Sequence, residues 1–168
     1  MIAVREAAAA DLPAIDRLFR ASFTDTFGHL YAAADLHAFL AQFTPTAWAR
    51  EHADPAYAFA VTEGDAGLTG YAKLGPPALP IEPRGPAIEL RQLYLAPHAK
   101  GSGAAQALMA WTLAEARARG AAELWLSVYV DNARARAFYA RYGFEDCGRY
   151  AFMVGAHEDE DRLMRVSL

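Results

Sequence analysis

Cysteine is nearly missing: Cys147 is the single one in 168 residues. No internal disulfide can form, and a thiolate zinc site lacks its ligands. That poverty suits a reducing compartment, and Cys147 is expected as a small buried packing residue. Positive charge is not in excess either. Sixteen Lys and Arg stand against twenty Asp and Glu, for a formal charge of -4. A phosphate-binding surface is usually basic, so no nucleic-acid partner is expected. No run of about 18 apolar residues occurs, and no membrane span is expected. Arg5, Glu6 and Asp11 interrupt the place where a signal peptide needs an apolar core. The expectation is a cytoplasmic protein without a metal. There is no repeat or low-complexity tail, so residues 1–168 are expected to form one domain.

Apolar residues are what the chain has in quantity, at 54%, enough for a sizeable core, while 21% charged residues is too few for a disordered chain. Ile2 to Glu6 alternates as a short strand. Ile15, Leu18, Phe19 and Phe23 repeat at helical spacing after Asp11, a candidate N-cap, and Pro13. A second helix is expected over Ala33 to Gln42, and a turn over Trp48 to His52. Tyr57, Phe59 and Val61 alternate, and a glycine turn leads into Leu68 to Leu74 as a hairpin. Five prolines make Gly75 to Pro86 a loop. In the strand Ala87 to Ala96, Leu90 and Leu93 lie an odd number of positions apart, which predicts a β-bulge. A helix is expected over Gly103 to Arg119 and a strand over Glu123 to Val130. Asp131 is the expected cap of a helix from Asn132 to Tyr142. Strands over Phe144 to Val154 and Arg162 to Leu168 flank an acidic turn. This order implies an α/β fold, a mixed sheet with helices on both faces.

Two constellations carry chemistry. Lys100-Gly101-Ser102-Gly103-Ala104-Ala105 follows a strand and opens a helix. Glycines admit backbone amides to an anion, and the helix start adds unpaired N–H groups and a positive dipole end. A glycine turn that merely enters a helix has the same letters, so the turn alone does not decide. The second is Asn132, at a helix start beyond a strand's C-terminal end, with Tyr139 two turns on. A phenol of pKa about 10 can act as an acid, and an amphipathic helix with core aromatics has the same pattern.

Together, Leu93-Tyr94-Leu95-Ala96-Pro97, the Lys100-to-Ala105 turn, Asn132 to Tyr139 and Tyr142-Gly143-Phe144 resemble the signature of the GNAT acetyltransferases. That family's turn, Gln/Arg-x-x-Gly-x-Gly/Ala, falls on Lys100, Gly103 and Ala105, with Lys in place of Gln or Arg. Ser22 to Phe27, Leu124 to Val128, Phe152 to Gly155 and Asp161 to Met164 resemble bacterial spermidine/spermine N-acetyltransferases in particular.

The resemblance implies a GNAT fold, a mostly antiparallel sheet of six to seven strands with splayed central strands. It implies acetyl-CoA as co-substrate and a primary amine as acceptor, a polyamine such as spermidine or spermine. Peptide amino termini, another small amine, or a non-catalytic acyl-CoA-binding sensor module are the alternatives. Backbone groups of Leu93, Tyr94 and Leu95 would hold the pantetheine arm and polarise the thioester. Lys100, Gly101, Ser102, Gly103, Ala104 and Ala105 would hold the pyrophosphate. Asn132 would bind the arm, and Tyr139 would protonate the leaving thiolate. Glu89 is the candidate base, since Arg91 and Ser127 stand where relatives carry acids. Asp25 and Asp161 fall at the acceptor side, whereas Glu158 to Glu160 is expected as a solvated turn. A homodimer is expected from the resemblance alone.

Overall fold

The computed structural model describes residues 2–168. Seven strands make one sheet, β1 (Val4–Glu6), β2 (Ala58–Gly64), β3 (Gly67–Gly75), β4 (Ala87–Leu95), β5 (Glu123–Tyr129), β6 (Glu145–Val154) and β7 (His157–Ser167). Their spatial order is β1-β2-β3-β4-β5-β7-β6. Every neighbouring pair is antiparallel except β4 and β5. Helices α1 (Leu12–Phe27), α2 (Ala33–Leu40), α3 (Pro45–Ala53), α4 (Ala104–Ala118) and α5 (Ala133–Ala140) cover the two faces.

Strand alternation divides the core in two. Phe59, Val61 and Tyr71 turn to one face and meet Ile15, Phe19 and Phe23 of α1 with Trp48 of α3. Ala60, Ala72, Leu124, Leu126 and Val128 turn to the other and meet Leu108 and Met109 of α4, with Phe138 and Tyr139 of α5 alongside. The α1 stripe follows the three-four spacing of an amphipathic helix. Burying a Leu- or Phe-sized side chain there is worth about 1.5–3 kcal/mol.

Several local expectations change. Asp11 does not cap α1 with its side chain; it accepts from the Ala8 amide at 2.7 Å and pairs with Arg5. The turn expected over 48–52 is a full helix, α3, started by Pro45 and capped by Thr44, whose Oγ1 accepts from the Ala47 amide at 3.1 Å. Asn132, not Asp131, caps α5 through the Ala135 amide at 3.2 Å. Asp131 instead accepts from the Tyr129 hydroxyl. Cys147 is exposed rather than packed, because it sits where the β6–β7 register slips between Asp146 and Gly148.

The acidic stretch is strand, not turn. β7 starts at His157, and the chain reverses at Gly155 and Ala156. Gly155 has φ +57°, and a Cβ there would run into the Asp35 side chain at 2.3 Å. Only glycine fits so close an approach.

The feature that positions the site lies at the sheet's centre. Opposite β3, the register moves from Lys73↔Gln92 to Leu74↔Leu90, so Arg91 is an extra residue on β4. This is the bulge that broken alternation predicts. On the other side, β4 pairs with β5 only at Ala87↔Glu123, Ile88↔Leu124 and Glu89↔Trp125. Beyond that point each keeps its outer partner, β4 with β3 as far as Leu95 and β5 with β7 as far as Tyr129. The two strands therefore part.

Candidate active site between the parted strands

The gap between β4 and β5 opens into a cleft of about 570 Å³, bordered by the end of α1, the start of α4 and the length of α5. Ala96 gives its N–H to the Thr69 carbonyl on β3 at 2.9 Å. Antiparallel ladders alternate, so Tyr94 bonds towards β3 as well, while the backbone groups of Leu93 and Leu95 face the gap. Ser22 of α1 donates to the Leu95 carbonyl at 2.9 Å. The Leu93 amide and carbonyl and the Leu95 amide are left as a free strand edge inside the molecule, an arrangement that calls for a partner.

The glycine turn closes one end. Gly101 and Gly103 have φ +85° and +96°, left-handed values that let the chain double back into α4. The Ser102 hydroxyl is spent inside the turn, donating to the Ala99 carbonyl at 2.7 Å and accepting from the Ala104 amide at 3.3 Å. Ser102, Gly103 and Ala104 thus shape the turn without lining the cleft. Lys100, Gly101, Ala105 and the neighbouring Gln106 do line it. The first-turn amides of α4 have no intrahelical acceptor, and those of Ala105 and Gln106 are not taken by Ser102. Arg91, at the bulge of β4, also lines the cleft, as do two further cations, Arg134 and Arg141. They lie seven residues apart, one face of a helical segment, and that spacing was the signal for them in the sequence.

Asn132 and Tyr139 come together in the cleft as expected from their two-turn spacing. Capping occupies the Asn132 carbonyl, leaving its side-chain NH₂ group free. Tyr139 packs edge-on against both Phe138 and Phe144, and burial pushes its phenol well above the usual value.

On the opposite face of the gap the character is acidic and aromatic. Asp25, exposed at the end of α1, lines the cleft with Phe27, Tyr94, Ser127 and Tyr129. Tyr94 stands edge-on to Phe19, and Phe27 edge-on to Tyr129. Behind this wall Asp159 and Asp161 are buried, 4% and 8% exposed. Asp159 accepts from the Tyr31 hydroxyl and lies 3.0 Å from His157 Nε2. Asp161 has its carboxyl pushed up to about 6, mainly by burial, with the Asp159 charge adding and the nearby Ser127 hydroxyl opposing. Asp159 belongs to the stretch expected as solvated turn. The clue to its burial was parity: Asp159 and Asp161 share their side of the strand with Leu163.

Glu89 is placed elsewhere. It is 6% exposed and does not line the cleft. It pairs across from Trp125, at the closed end of the gap. One oxygen accepts from the Ala78 and Leu79 amides at 2.7 and 3.3 Å, and the other lies 3.5 Å from Arg91. Burial nevertheless raises its carboxyl pKa, against those donors and Arg91.

With this geometry in hand, the family model described as the Acetyltransferase (GNAT) family matches residues 12–144. The chain belongs to the GNAT acetyltransferase family. An uncharacterized N-acetyltransferase of Mycobacterium tuberculosis is 40% identical over 111 residues, covering 66% of this chain and 67% of the relative. The activity is that of an N-acetyltransferase. Among solved structures, the PaiA N-acetyltransferase of Thermoplasma acidophilum, determined with coenzyme A, superposes with a TM-score of 0.76 at 20% identity, over 100% of this chain and 99% of that one. A ribosomal-protein-alanine N-acetyltransferase of Brucella melitensis does so with a TM-score of 0.71 at 26% identity, over 99% of each chain. The sheet is the expected GNAT sheet in its seven-stranded form. The matched GNAT segment ends at Phe144, so β6 and β7, with Asp159 and Asp161, lie beyond it. Among the described residues, no cluster of three His, Cys, Asp or Glu is placed to hold a metal ion, and no helix is long and apolar enough to cross a membrane.

Proposed function

We propose that this chain transfers an acetyl group from acetyl-CoA to the primary amine of a cationic acceptor, with a polyamine such as spermidine as its substrate class. One observation carries the reading: β4 and β5 part between a cationic, amide-lined end and an acidic, aromatic wall. The unpaired edge at Leu93 and Leu95 fits an extended amide-bearing arm, and the glycine turn fits phosphates. Bound there, acetyl-CoA supplies a thioester-activated acetyl group and a thiolate that can leave.

The chain's own groups then have distinct tasks. Leu93 and Leu95 orient the arm as a neighbouring strand would. Amides of Gly101, Ala105 and Gln106, with Lys100, Arg134 and Arg141, hold the phosphates. The Asn132 side-chain NH₂ bonds the arm. Tyr139 donates a hydrogen bond to the sulfur as charge develops there. Because burial lifts this phenol well above a thiol's pKa of about 8.5, the proton stays on its oxygen, and full transfer to sulfur is uphill.

Asp25 and the buried Asp159 and Asp161 favour a positively charged acceptor. Phe27, Tyr94 and Tyr129 give its methylene chain a surface. Peptide amino termini are the second reading, favoured by the 26% identity to the Brucella enzyme. The exposed, unpaired Cys147 suits a cytoplasmic setting. A second copy would find its free edge at β6, whose outer side has no neighbouring strand.

The test is to incubate the protein with acetyl-CoA and spermidine, spermine or alanine-ended peptides, following free thiol. Polyamine-dependent release is expected. Release with peptides alone replaces the acceptor. No release with any amine, while acetyl-CoA still raises the melting temperature, overturns the transfer and leaves a sensor module.

A further inference from the structure

Among the described residues four carboxylates are buried: Glu89, Glu123, Asp159 and Asp161. Three are held by several donors. Glu89 is bonded by the Ala78 and Leu79 amides and sits near Arg91. Glu123 accepts from Trp125 Nε1 at 2.8 Å and the Arg84 amide, with Arg165 at 3.7 Å. Asp159 has Tyr31 and His157. Asp161 has no cation within pairing distance among the described residues, and the Ser127 hydroxyl, diagonal to it across β5 and β7, is the one neighbouring donor that favours its ionised form. A buried carboxylate so poorly supplied costs stability, and groups kept at such a cost gather at functional sites.

Its placement shows where that basicity can reach. Asp161 pairs across from Tyr129 on β5, and Ser127 is two residues back on the same face. Ser127 lines the cleft on the parted segment of β5, whereas Asp161 lies behind it, out of the cleft. The surroundings of Asp161 are acidic or phenolic. Asp159 flanks it on β7, Tyr31 follows α1, Tyr94 belongs to β4 and Tyr129 to β5; all interact with it electrostatically. Tyr150 of β6 is its register partner. His157 shares its side of β7 and is engaged by Asp159. Asp25 lines the cleft beyond, and Asp35 of α2 packs at Gly155. The neighbouring Arg149 and Arg162 are engaged with Glu158, Glu160 and Asp146 on the other side of the strands.

We propose that Ser127 and Asp161 form a proton relay, in which Ser127 touches the acceptor amine and Asp161 takes the proton. This rests on the amine-transfer reading above. The nitrogen lone pair forms the new N–C bond while the C–S bond breaks and its electron pair leaves on sulfur. The surplus N–H proton passes to Ser127 Oγ, the Ser127 proton passes to an Asp161 oxygen, and Asp161 later yields it to water. The raised carboxyl keeps Asp161 ionised at pH 7 yet more basic than an ordinary aspartate.

The experiment has two arms. In the first, protein free of acetyl-CoA and labelled with ¹³C at aspartate carboxyls is titrated by NMR, with D161N assigning the signal. Titration near pH 6 is expected; titration near the ordinary value of about 3.9 overturns the relay. In the second, kcat/KM is followed against pH. The wild type is expected to show an acid limb near the same pH. In D161N that limb disappears and kcat falls about 10²–10⁴-fold, while the thermal shift with acetyl-CoA is retained. S127A is expected to lose the limb too, and it serves if D161N folds poorly. E89Q keeps the limb. A limb that survives in D161N or S127A overturns the relay alone, whereas a wild type inactive with every amine overturns the transfer reading.

Discussion

Asp161 raises the stability cost of the site at the level of a single residue. Its carboxyl is held near 6 in the folded chain and near 3.9 in the unfolded one. Between those values the folded state binds more protons, so stability falls as pH rises through the window. The protonated form's contribution is fully present below about pH 4 and gone above about pH 6. The difference amounts to about 3 kcal/mol. Asp161→Asn should therefore be more stable than wild type at pH 7.5, by up to about 3 kcal/mol, and should lose that advantage at pH 4. Urea melts at the two pH values check this; equal differences at both would contradict it. Tyr139→Phe belongs to the same scale. Losing a hydrogen bond made only as charge develops on sulfur should lower kcat by about 10²–10³-fold with acetyl-CoA binding unchanged. Steady-state kinetics beside a binding titration separate the two. Residue roles were the least legible part of the sequence. Glu89 stood near the right strand, but only the folding back of the proline-rich loop shows that Ala78 and Leu79 engage its carboxylate. Asp159 was hidden because adjacent charges read as a solvated run until the strand parity is applied.

The elements were far more legible, because periodicity and turn chemistry are local. The bulge on β4 followed from Leu90 and Leu93 alone, and the structure places it at Arg91. The helix α4 followed from its glycines. The half of β7 before Arg162 is not legible in the sequence, since five residues from His157 to Asp161 carry no apolar side chain and only their pairing with β6 makes them strand. Trp48 to His52 alone suggests only a turn, and the start signal for α3 is Thr44-Pro45 upstream of it. The turn before α4 gives the prediction at this scale. Gly103→Ala forces a Cβ into a φ of +96°, which costs about 1–2 kcal/mol, and it should also weaken coenzyme A binding by tilting the amides of Ala105 and Gln106. Thermal melts and calorimetric titration read both; unchanged binding would remove the turn from the phosphate site.

For the whole molecule, the organising fact is one sheet divided along its middle. The GNAT match stops at Phe144, before the strands that carry Asp159 and Asp161. Resemblance alone points to Asp25 and Asp161, whereas the burial of Asp159 and Asp161 side by side depends on the register of β5, β6 and β7. Charge is distributed along the same division, with Lys100, Arg134 and Arg141 at one end of the cleft, Asp25 lining the other wall with Asp159 and Asp161 buried behind it, and Arg91 at the bulge of β4. Coenzyme A affinity should fall with added salt, because exposed phosphate contacts are screened. A crystal structure with coenzyme A tests the account most directly. It should show the pantetheine arm between β4 and β5, bonded to Leu93 and Leu95, with its sulfur within hydrogen-bond reach of Tyr139. Coenzyme A bound outside that gap, with the parted strands empty, would contradict it.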